Sequence, residues 1–528
     1  MSAIPTTQRA VQLVGPDHLR LNERKDVVPP GPYQLLARVE AVGLCFSDLK
    51  LLKQFDRHAR KSEITSGISP DVLREMPNYV PGGAPAVPGH EAVIRIVATG
   101  PGVTDHAVDQ RFLVQTDYRW LPTAGSNAAF GYNFEGGLQE YVLLDERVIT
   151  SPEGESLLIP APDDLSASAI ALCEPWACVE EAYAEPQRQT LLDGGRLLVA
   201  GDEPAGPESI RNLPGSSREV VFVTADALDA LAPGTFDDVV YFGSDPATVE
   251  RLFTRVANGG LLSLVQCGGR FGRPVVTPIG RVHYGGIRVT GTPGRDPAEA
   301  LAAIPATPEI RPGDTIDVVG AGGPMGTMHV IRALSHGVPG VTVLAGDLAE
   351  ARLDALRERA EPLARAHGID FRPYNPSRER PSDPRNYVVL TVPVPELVAQ
   401  AVRDAAPGAI LNVFAGIPAG ETATIDLDAY VARGCYFVGT SGSVLEDMKA
   451  VLARVAAGRL DTNLSVAAVA GLDGAIDGIR AVEHNTVPGK IVVYPSCRGL
   501  PLTPIAELDG GRWTKQAEDA LLARFGAA

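Results

Sequence analysis

The sequence predicts an α/β protein, with a small β-barrel domain followed by two tandem doubly wound parallel-sheet domains. Three observations carry this. Up to about residue 190 the chain is built of short apolar runs divided by Gly, Pro and Asp, as in 33–39 and 92–97, which is the pattern of a small barrel. From residue 191 apolar strands alternate with helical stretches, and twice the alternation opens with a strand running into a Gly-rich turn. A length of 528 residues also exceeds what one core holds and suggests three or four domain-sized units.

Composition narrows the function classes. A hydrophobic content of 45% with 21% charged residues describes a globular chain, and a formal net charge of -17 argues against nucleic acid or an anionic membrane surface as partner. The start, Met1-Ser2-Ala3-Ile4-Pro5-Thr6, has no basic flank followed by an apolar run. No stretch reaches the roughly 18 uninterrupted apolar residues that span a bilayer, so a cytoplasmic location is expected. Six cysteines, at 45, 173, 178, 267, 435 and 497, form no CxxC pair and no disulfide-like framework, which fits a reducing compartment.

In the first unit the chemistry gathers at Val87-Pro88-Gly89-His90-Glu91, where a tight turn sets two potential metal ligands side by side. Upstream, Val42-Gly43-Leu44-Cys45-Phe46-Ser47-Asp48 leaves an apolar run at a Gly and presents a thiol, a hydroxyl and a carboxylate within four residues. Downstream, Leu172-Cys173-Glu174-Pro175-Trp176 opens an apolar helical pattern with another carboxylate. A catalytic zinc takes Cys, His or carboxylate ligands and leaves room for water or substrate. Cys45, His90 and Glu174, with Glu91 beside them, meet that need. Any one of these motifs alone is ordinary structure, and the ordered series is what singles them out.

The Cys-x-Ser-Asp, Gly-His-Glu and Cys-Glu-Pro series resembles the zinc-dependent medium-chain dehydrogenase/reductase family, and within it the sorbitol dehydrogenase and sugar-phosphate reductase branch. The resemblance implies that residues 1–190, completed by 441–500, form a GroES-like β-barrel catalytic domain. It implies that Cys45, His90 and either Glu91 or Glu174 hold one catalytic zinc, that Ser47 passes the substrate's hydroxyl proton outward, and that Asp48 orients His90. Residues 136–142 match the family's return strand, and 488–494 a closing strand after a helix over 444–457. Two departures stand out. The long segment 52–85 is read as an enlarged lid or rim loop, with a plain surface insertion as the alternative. Residues 109–134 lack the four clustered cysteines of many relatives, so no structural zinc is expected.

Residues 191–300 are expected to form a degenerate Rossmann-like domain. The turn Gly201-Asp202-Glu203-Pro204-Ala205-Gly206 keeps the outer glycines of a dinucleotide fingerprint but places a carboxylate and a proline where a pyrophosphate needs open backbone and N–H donors. Residues 310–440 repeat the pattern with the turn intact. Gly320, Gly322, Gly323, Pro324, Met325 and Gly326 lead into a helix whose N-terminus favours phosphate. Asp347 ends the second strand at the distance expected for an acid that binds the adenosine ribose and repels a 2′-phosphate, favouring NAD over NADP, with a helix N-cap as the alternative reading. Thr440, where the chain leaves this unit, completes the cofactor set.

The two units echo each other to their ends, 260–265 through 289–294 against 408–413 through 438–442. His329 is read as a packed helix residue and Cys173 and Cys178 as core thiols. Trp176 either borders a substrate pocket or fills the domain cleft. The tail 501–528 ends in a helix over 514–525, read as a packing or subunit-contact element. The expected function is hydride transfer between NAD and a secondary alcohol of a small-molecule polyol, sugar, sugar phosphate or cyclitol, in a homodimer or homotetramer. An epimerase or lyase with tightly bound NAD, and a non-catalytic binding subunit, are the alternatives.

Overall fold

The computed structural model describes residues 4–440, 442–508 and 511–526. Met1 to Ala3, Ser441 in the expected return to the first domain, and the tail positions 509, 510, 527 and 528 lie outside the described residues. The protein is α/β and divides into two compact units, 1–177 with 444–528, and 178–443.

The first unit is built on an eight-stranded sheet whose middle strand is Gln34–Gly43. That strand pairs antiparallel with Glu91–Thr99, with Tyr141–Asp145 and with Lys490–Val493. Register is what matters for chemistry here. Gly43 stands opposite both Glu91 and Val492, so the end of the central strand, the start of the Glu91–Thr99 strand and the Lys490 end of the closing strand meet at one point. Gly43 is required there by space, since a Cβ on it would come within 2.0 Å of Glu91 Oε2.

Segment 52–85 is ordered by its own contacts. It carries the 3-10 turns Phe55–Arg57 and Ala59–Lys61 and the short helix Pro70–Arg74. The fully buried Lys61 donates to the carbonyls of Val80 and Ala84, which ties the two ends of the loop together. The tail is held in a similar way. Its helix Lys515–Phe525 buries Glu518, which accepts from the backbone N–H groups of Ala167 and Ser168 and from the Tyr494 hydroxyl. In this unit the tail is thus a packing element, with Trp513 donating to Ser168 Oγ.

The second unit holds two parallel Rossmann-like sheets. Their inner strands are mostly buried apolar runs, as parallel strands covered on both faces must be, whereas the edge strands Ser217–Thr224 and Asp370–Tyr374 are partly or fully exposed. One sheet is five-stranded, in the order Ser217–Thr224, Gly195–Gly201, Phe236–Phe242, Val256–Val265, Arg288–Thr292. The other is six-stranded, in the order Asp370–Tyr374, Thr342–Gly346, Thr315–Val319, Arg385–Leu390, Ala405–Val413, Tyr436–Val438. In the six-stranded copy the helix Pro324–Ser335 joins the first two strands, whereas the equivalent connection of the five-stranded copy has only the 3-10 turn Pro207–Ile210. A two-stranded antiparallel ribbon, Val275–Thr277 with Ala423–Ile425, ties the copies together. Among the described residues no helix is long and apolar enough to cross a membrane.

Candidate metal centre and dinucleotide turn

Cys45 occupies the N-cap position of the helix Phe46–Gln54, in extended backbone just past the central strand. Asp48, one turn into that helix and buried, works in two directions. Its Oδ2 accepts from the Cys45 backbone N–H at 3.1 Å, and its Oδ1 accepts from His90 Nδ1–H at 3.0 Å. The second bond fixes the imidazole tautomer and aims Nε2 away from Asp48. Ser47 Oγ donates to Cys45 Sγ at 3.1 Å and lies 3.2 Å from His90 Nε2. Burial opposes a charge on His90, but Tyr132, Asp48 and Cys45 around it outweigh that and raise its pKa well above the ordinary imidazole value. The ring sits in surroundings built for positive charge.

Glu91 is 0% exposed. Its Oε1 pairs with Lys490 Nζ at 2.5 Å, and Lys490 also donates to the Leu44 carbonyl. Its Oε2 is buried without a hydrogen-bond partner. Leaving a buried acceptor unsatisfied costs about 1–3 kcal/mol, more when it is charged, so the position calls for a cation. Among the described residues, the groups whose ligand atoms converge are Cys45, His90 and Glu91, all within 4.8 Å of one another. Thiolate, imidazole nitrogen and carboxylate are the donor types zinc takes, and the orphaned oxygen supplies the fit. Glu174, in the first turn of the helix Cys173–Ala184, stands outside that group but within its field. Burial first, then the charge of Glu91, push its pKa up to about 7 against the pull of His90 and Lys490.

The structure adds residues that the sequence did not single out. Tyr132 is buried with its ring 5.7 Å from that of His90, and its phenol is hydrogen-bonded to Ser47. Segment 52–85 also reaches the Tyr132 ring, with the His58 ring 5.2 Å and the Arg60 guanidinium 5.4 Å from its centroid. Arg60 pairs with Asp117, and burial, with Arg60 and Lys50 nearby, lowers the pKa of His58 to about 4. The loop therefore brings readable chemistry to the site. The one sequence signal for Tyr132 was the Gly beside it, because a Cβ on Gly131 would crowd His90 Cβ at 3.2 Å. Trp176 fills the core, donating to Ser465 Oγ, and Cys173 is a buried thiol bonded to the Ala169 carbonyl.

In the second unit the turn of the six-stranded copy runs from the strand Thr315–Val319 through Gly320 to a helix with Gly323 at its N-cap and Pro324 in its first turn. Gly326 lets that helix close onto the turn, since a Cβ there would lie 2.2 Å from the Gly320 carbonyl oxygen. Gly322, Met325 and the rest of the turn thus form a tight entry to a helix N-terminus, the kind of place where phosphate binds, with the N–H groups of Gly320 and Ala321 on the Gly346 carbonyl and the space above Gly322 taken by Arg352 Cβ, 2.5 Å from where a Cβ would lie. Asp347 braces the turn. Its Oδ2 accepts from Gly322 N–H and its Oδ1 from Ala349 N–H, both at 3.0 Å. The following helix, Glu350–His367, has Ala349 and not Asp347 at its N-cap. Thr440 carries a buried hydroxyl oxygen without a partner. His329 is buried in the helix with Nδ1 on the Tyr183 hydroxyl at 2.8 Å. The five-stranded copy closes its turn instead, because Asp202 folds back to accept from Tyr241 OH and Ser244 N–H, and Glu203 and Pro204 stand exposed where helix and phosphate donors would be.

Residues 31–153 match the model of the alcohol dehydrogenase GroES-like domain. Over part of its length the chain is 27% identical to the uncharacterized protein YggP of Escherichia coli, with 41% of this chain and 58% of that protein covered. It is 28% identical to L-sorbose 1-phosphate reductase of Klebsiella pneumoniae, covering 40% and 56%. It spans little more than half the length of these curated relatives. Its fold is similar to that of 2R,3R-butanediol dehydrogenase from Bacillus subtilis, with a TM-score of 0.54 at 16% identity, covering 93% of this chain and 100% of the other.

Proposed function

We propose that the chain, whose residues 31–153 match the alcohol dehydrogenase GroES-like domain, is a member of the medium-chain dehydrogenase/reductase family and transfers hydride between a secondary alcohol and NAD, using one zinc held by Cys45, His90 and Glu91. The observation that carries the proposal is the convergence of these three ligand atoms around a buried Glu91 oxygen with no other partner. The relative named L-sorbose 1-phosphate reductase supports a polyol, sugar, sugar phosphate or cyclitol as substrate.

In this reading residues 1–190 with 441–500 do the chemistry, and 310–440 bind the cofactor. The alcohol loses its hydroxyl proton and its carbinol C–H as hydride, giving a ketone and NADH. Zinc, when bound, supplies Lewis acidity toward the substrate oxygen. Ser47 Oγ, held beside the Tyr132 phenol, would accept the hydroxyl proton while passing its own outward to solvent. Asp48 holds the His90 tautomer, and Lys490 balances the charge of Glu91. Glu174, with a pKa held near neutrality, takes the neighbouring position, where it accepts a hydrogen bond from water or substrate. Gly320, Gly322, Gly323, Pro324, Met325 and Gly326 cradle the pyrophosphate, Thr440 offers its unpartnered hydroxyl to the cofactor, and Asp347 prefers the NAD ribose by repelling a 2′-phosphate. The free cysteines support a reducing compartment such as the cytoplasm.

The test is metal content together with NAD reduction over a polyol and polyol-phosphate panel. One zinc per chain is expected, and Cys45→Ala should abolish turnover while leaving NAD binding nearly intact. Two tightly held zincs per chain, or a Cys45→Ala protein that still turns over, would sink the proposal.

A further inference from the structure

The five-stranded sheet ends at Arg288–Thr292 and the six-stranded sheet at Tyr436–Val438, and these two end strands lie against each other. Beside them equivalent segments of the two copies meet. In the antiparallel ribbon Val275 stands opposite Ile425, Val276 opposite Thr424 and Thr277 opposite Ala423. The helices that follow, Gly280–Tyr284 and Leu427–Ala432, are also counterparts. The approach is close on both sides. A Cβ on Gly280 would fall 1.9 Å from the Pro418 carbonyl oxygen, and one on Gly291 2.7 Å from Val431 Cγ2, while Tyr430 OH donates to the Val289 carbonyl. One apolar core continues through the contact, including Ile279 and Val289 from one copy and Ile425 and Phe437 from the other.

A contact in which both sides offer the same patch is the isologous arrangement of a two-fold dimer. We infer that the five-stranded copy is a built-in partner. It occupies, within the same chain, the sheet edge at which the six-stranded copy would otherwise meet a second molecule, and no other copy of the protein pairs there. The same contact reaches the ligand end of the neighbouring sheet. His283 Nδ1–H donates to the Val413 carbonyl at 3.2 Å, and the Tyr284 hydroxyl lies where a Cβ on Gly416 would come within 2.7 Å. Both sites are at or just past the carboxyl end of Ala405–Val413, and open α/β sheets take their ligands at the carboxyl ends of the strands. The copy that has closed its own phosphate turn thus walls the crevice of the copy that kept one. The inference stands on packing and does not rest on the chemistry proposed above; any homodimer or homotetramer of this chain uses other surfaces.

Val276 and Thr424 are both exposed, so the double variant Val276→Cys, Thr424→Cys presents two reachable thiols. Treated with a short bis-maleimide, the full-length protein should run as a single chain on a denaturing gel, and peptide mass spectrometry should find positions 276 and 424 linked. A covalent dimer carrying the 276–424 link would overturn the inference. So would the absence of that link when both thiols have reacted separately.

Discussion

Lys490 Nζ lies 2.5 Å from Glu91 Oε1, 399 residues away in the chain, and both side chains are buried. A buried pair of this kind contributes little net stability, but breaking it leaves an uncompensated charge. Lys490→Met should therefore destabilise the metal-free protein by about 3–5 kcal/mol. Zinc should recover part of the loss, because a cation at the orphaned Glu91 oxygen neutralises the same carboxylate. Denaturant unfolding with and without zinc checks this, and equal losses in both conditions would separate Lys490 from the metal site.

Tyr132 stands behind Ser47 on the proposed proton path. Ser47→Ala should lower kcat by about 10²–10⁴, the range of a positioned proton acceptor, and Tyr132→Phe by about tenfold. The double variant should be no slower than Ser47→Ala, since groups acting in one path are not additive. Multiplying losses would place Tyr132 in some other role, such as packing against His90.

Glu174 predicts a pH dependence. Its pKa in the folded chain is about 7, against an ordinary 4.5, with burial the first cause and Glu91 the second of those that raise it. The folded state thus binds this proton more tightly than the unfolded one. The stabilising protonated form is complete below about 4.5 and is lost as pH rises through about 7. Metal-free protein should lose stability across that window, and Glu174→Gln should remove this component of the slope. Thermal midpoints measured across that window, with parallel curves for the two proteins, would exclude Glu174 as the source.

Cys45, Ser47 and Asp48 lie within four residues and His90 and Glu91 within two, so local spacing exposes them. The register that joins the two segments, Gly43 opposite Glu91, follows from pairing of two strongly apolar strands. Lys490 arrives by a pairing across nearly the whole chain, and Tyr132, His58 and Arg60 by packing of loops that carry no periodic pattern, so no spacing rule reaches them. Whether Glu91 or Glu174 completes the ligand set was open in the sequence because both are carboxylates beside motif residues. The orphaned oxygen of Glu91 is what supports its choice in the proposed ligand set. Glu203 and Pro204 made the altered turn of the first parallel-sheet copy readable, whereas its isologous contact depends on side-by-side placement of the ribbon strands around Val276 and Thr424.

One dinucleotide per chain is expected, bound by 310–440 alone, because Gly320 to Gly326 lead into the N-terminus of the helix Pro324–Ser335 while Asp202 seals the equivalent strand end against Tyr241 and Ser244. Two like charges about 4 Å apart near a surface repel by several kcal/mol, so Glu203 adds to the exclusion. Glu203→Gly alone should not create a second site, since the connecting helix is also absent. Asp347→Ala should weaken NAD by about 1–3 kcal/mol, through lost bonds to the ribose and a loosened Gly322 turn, and should relax discrimination against NADP. Titration calorimetry with both cofactors measures all of this. A stoichiometry near two, or an Asp347→Ala protein that binds NAD as well as the wild type, would show that the two turns have been read the wrong way round.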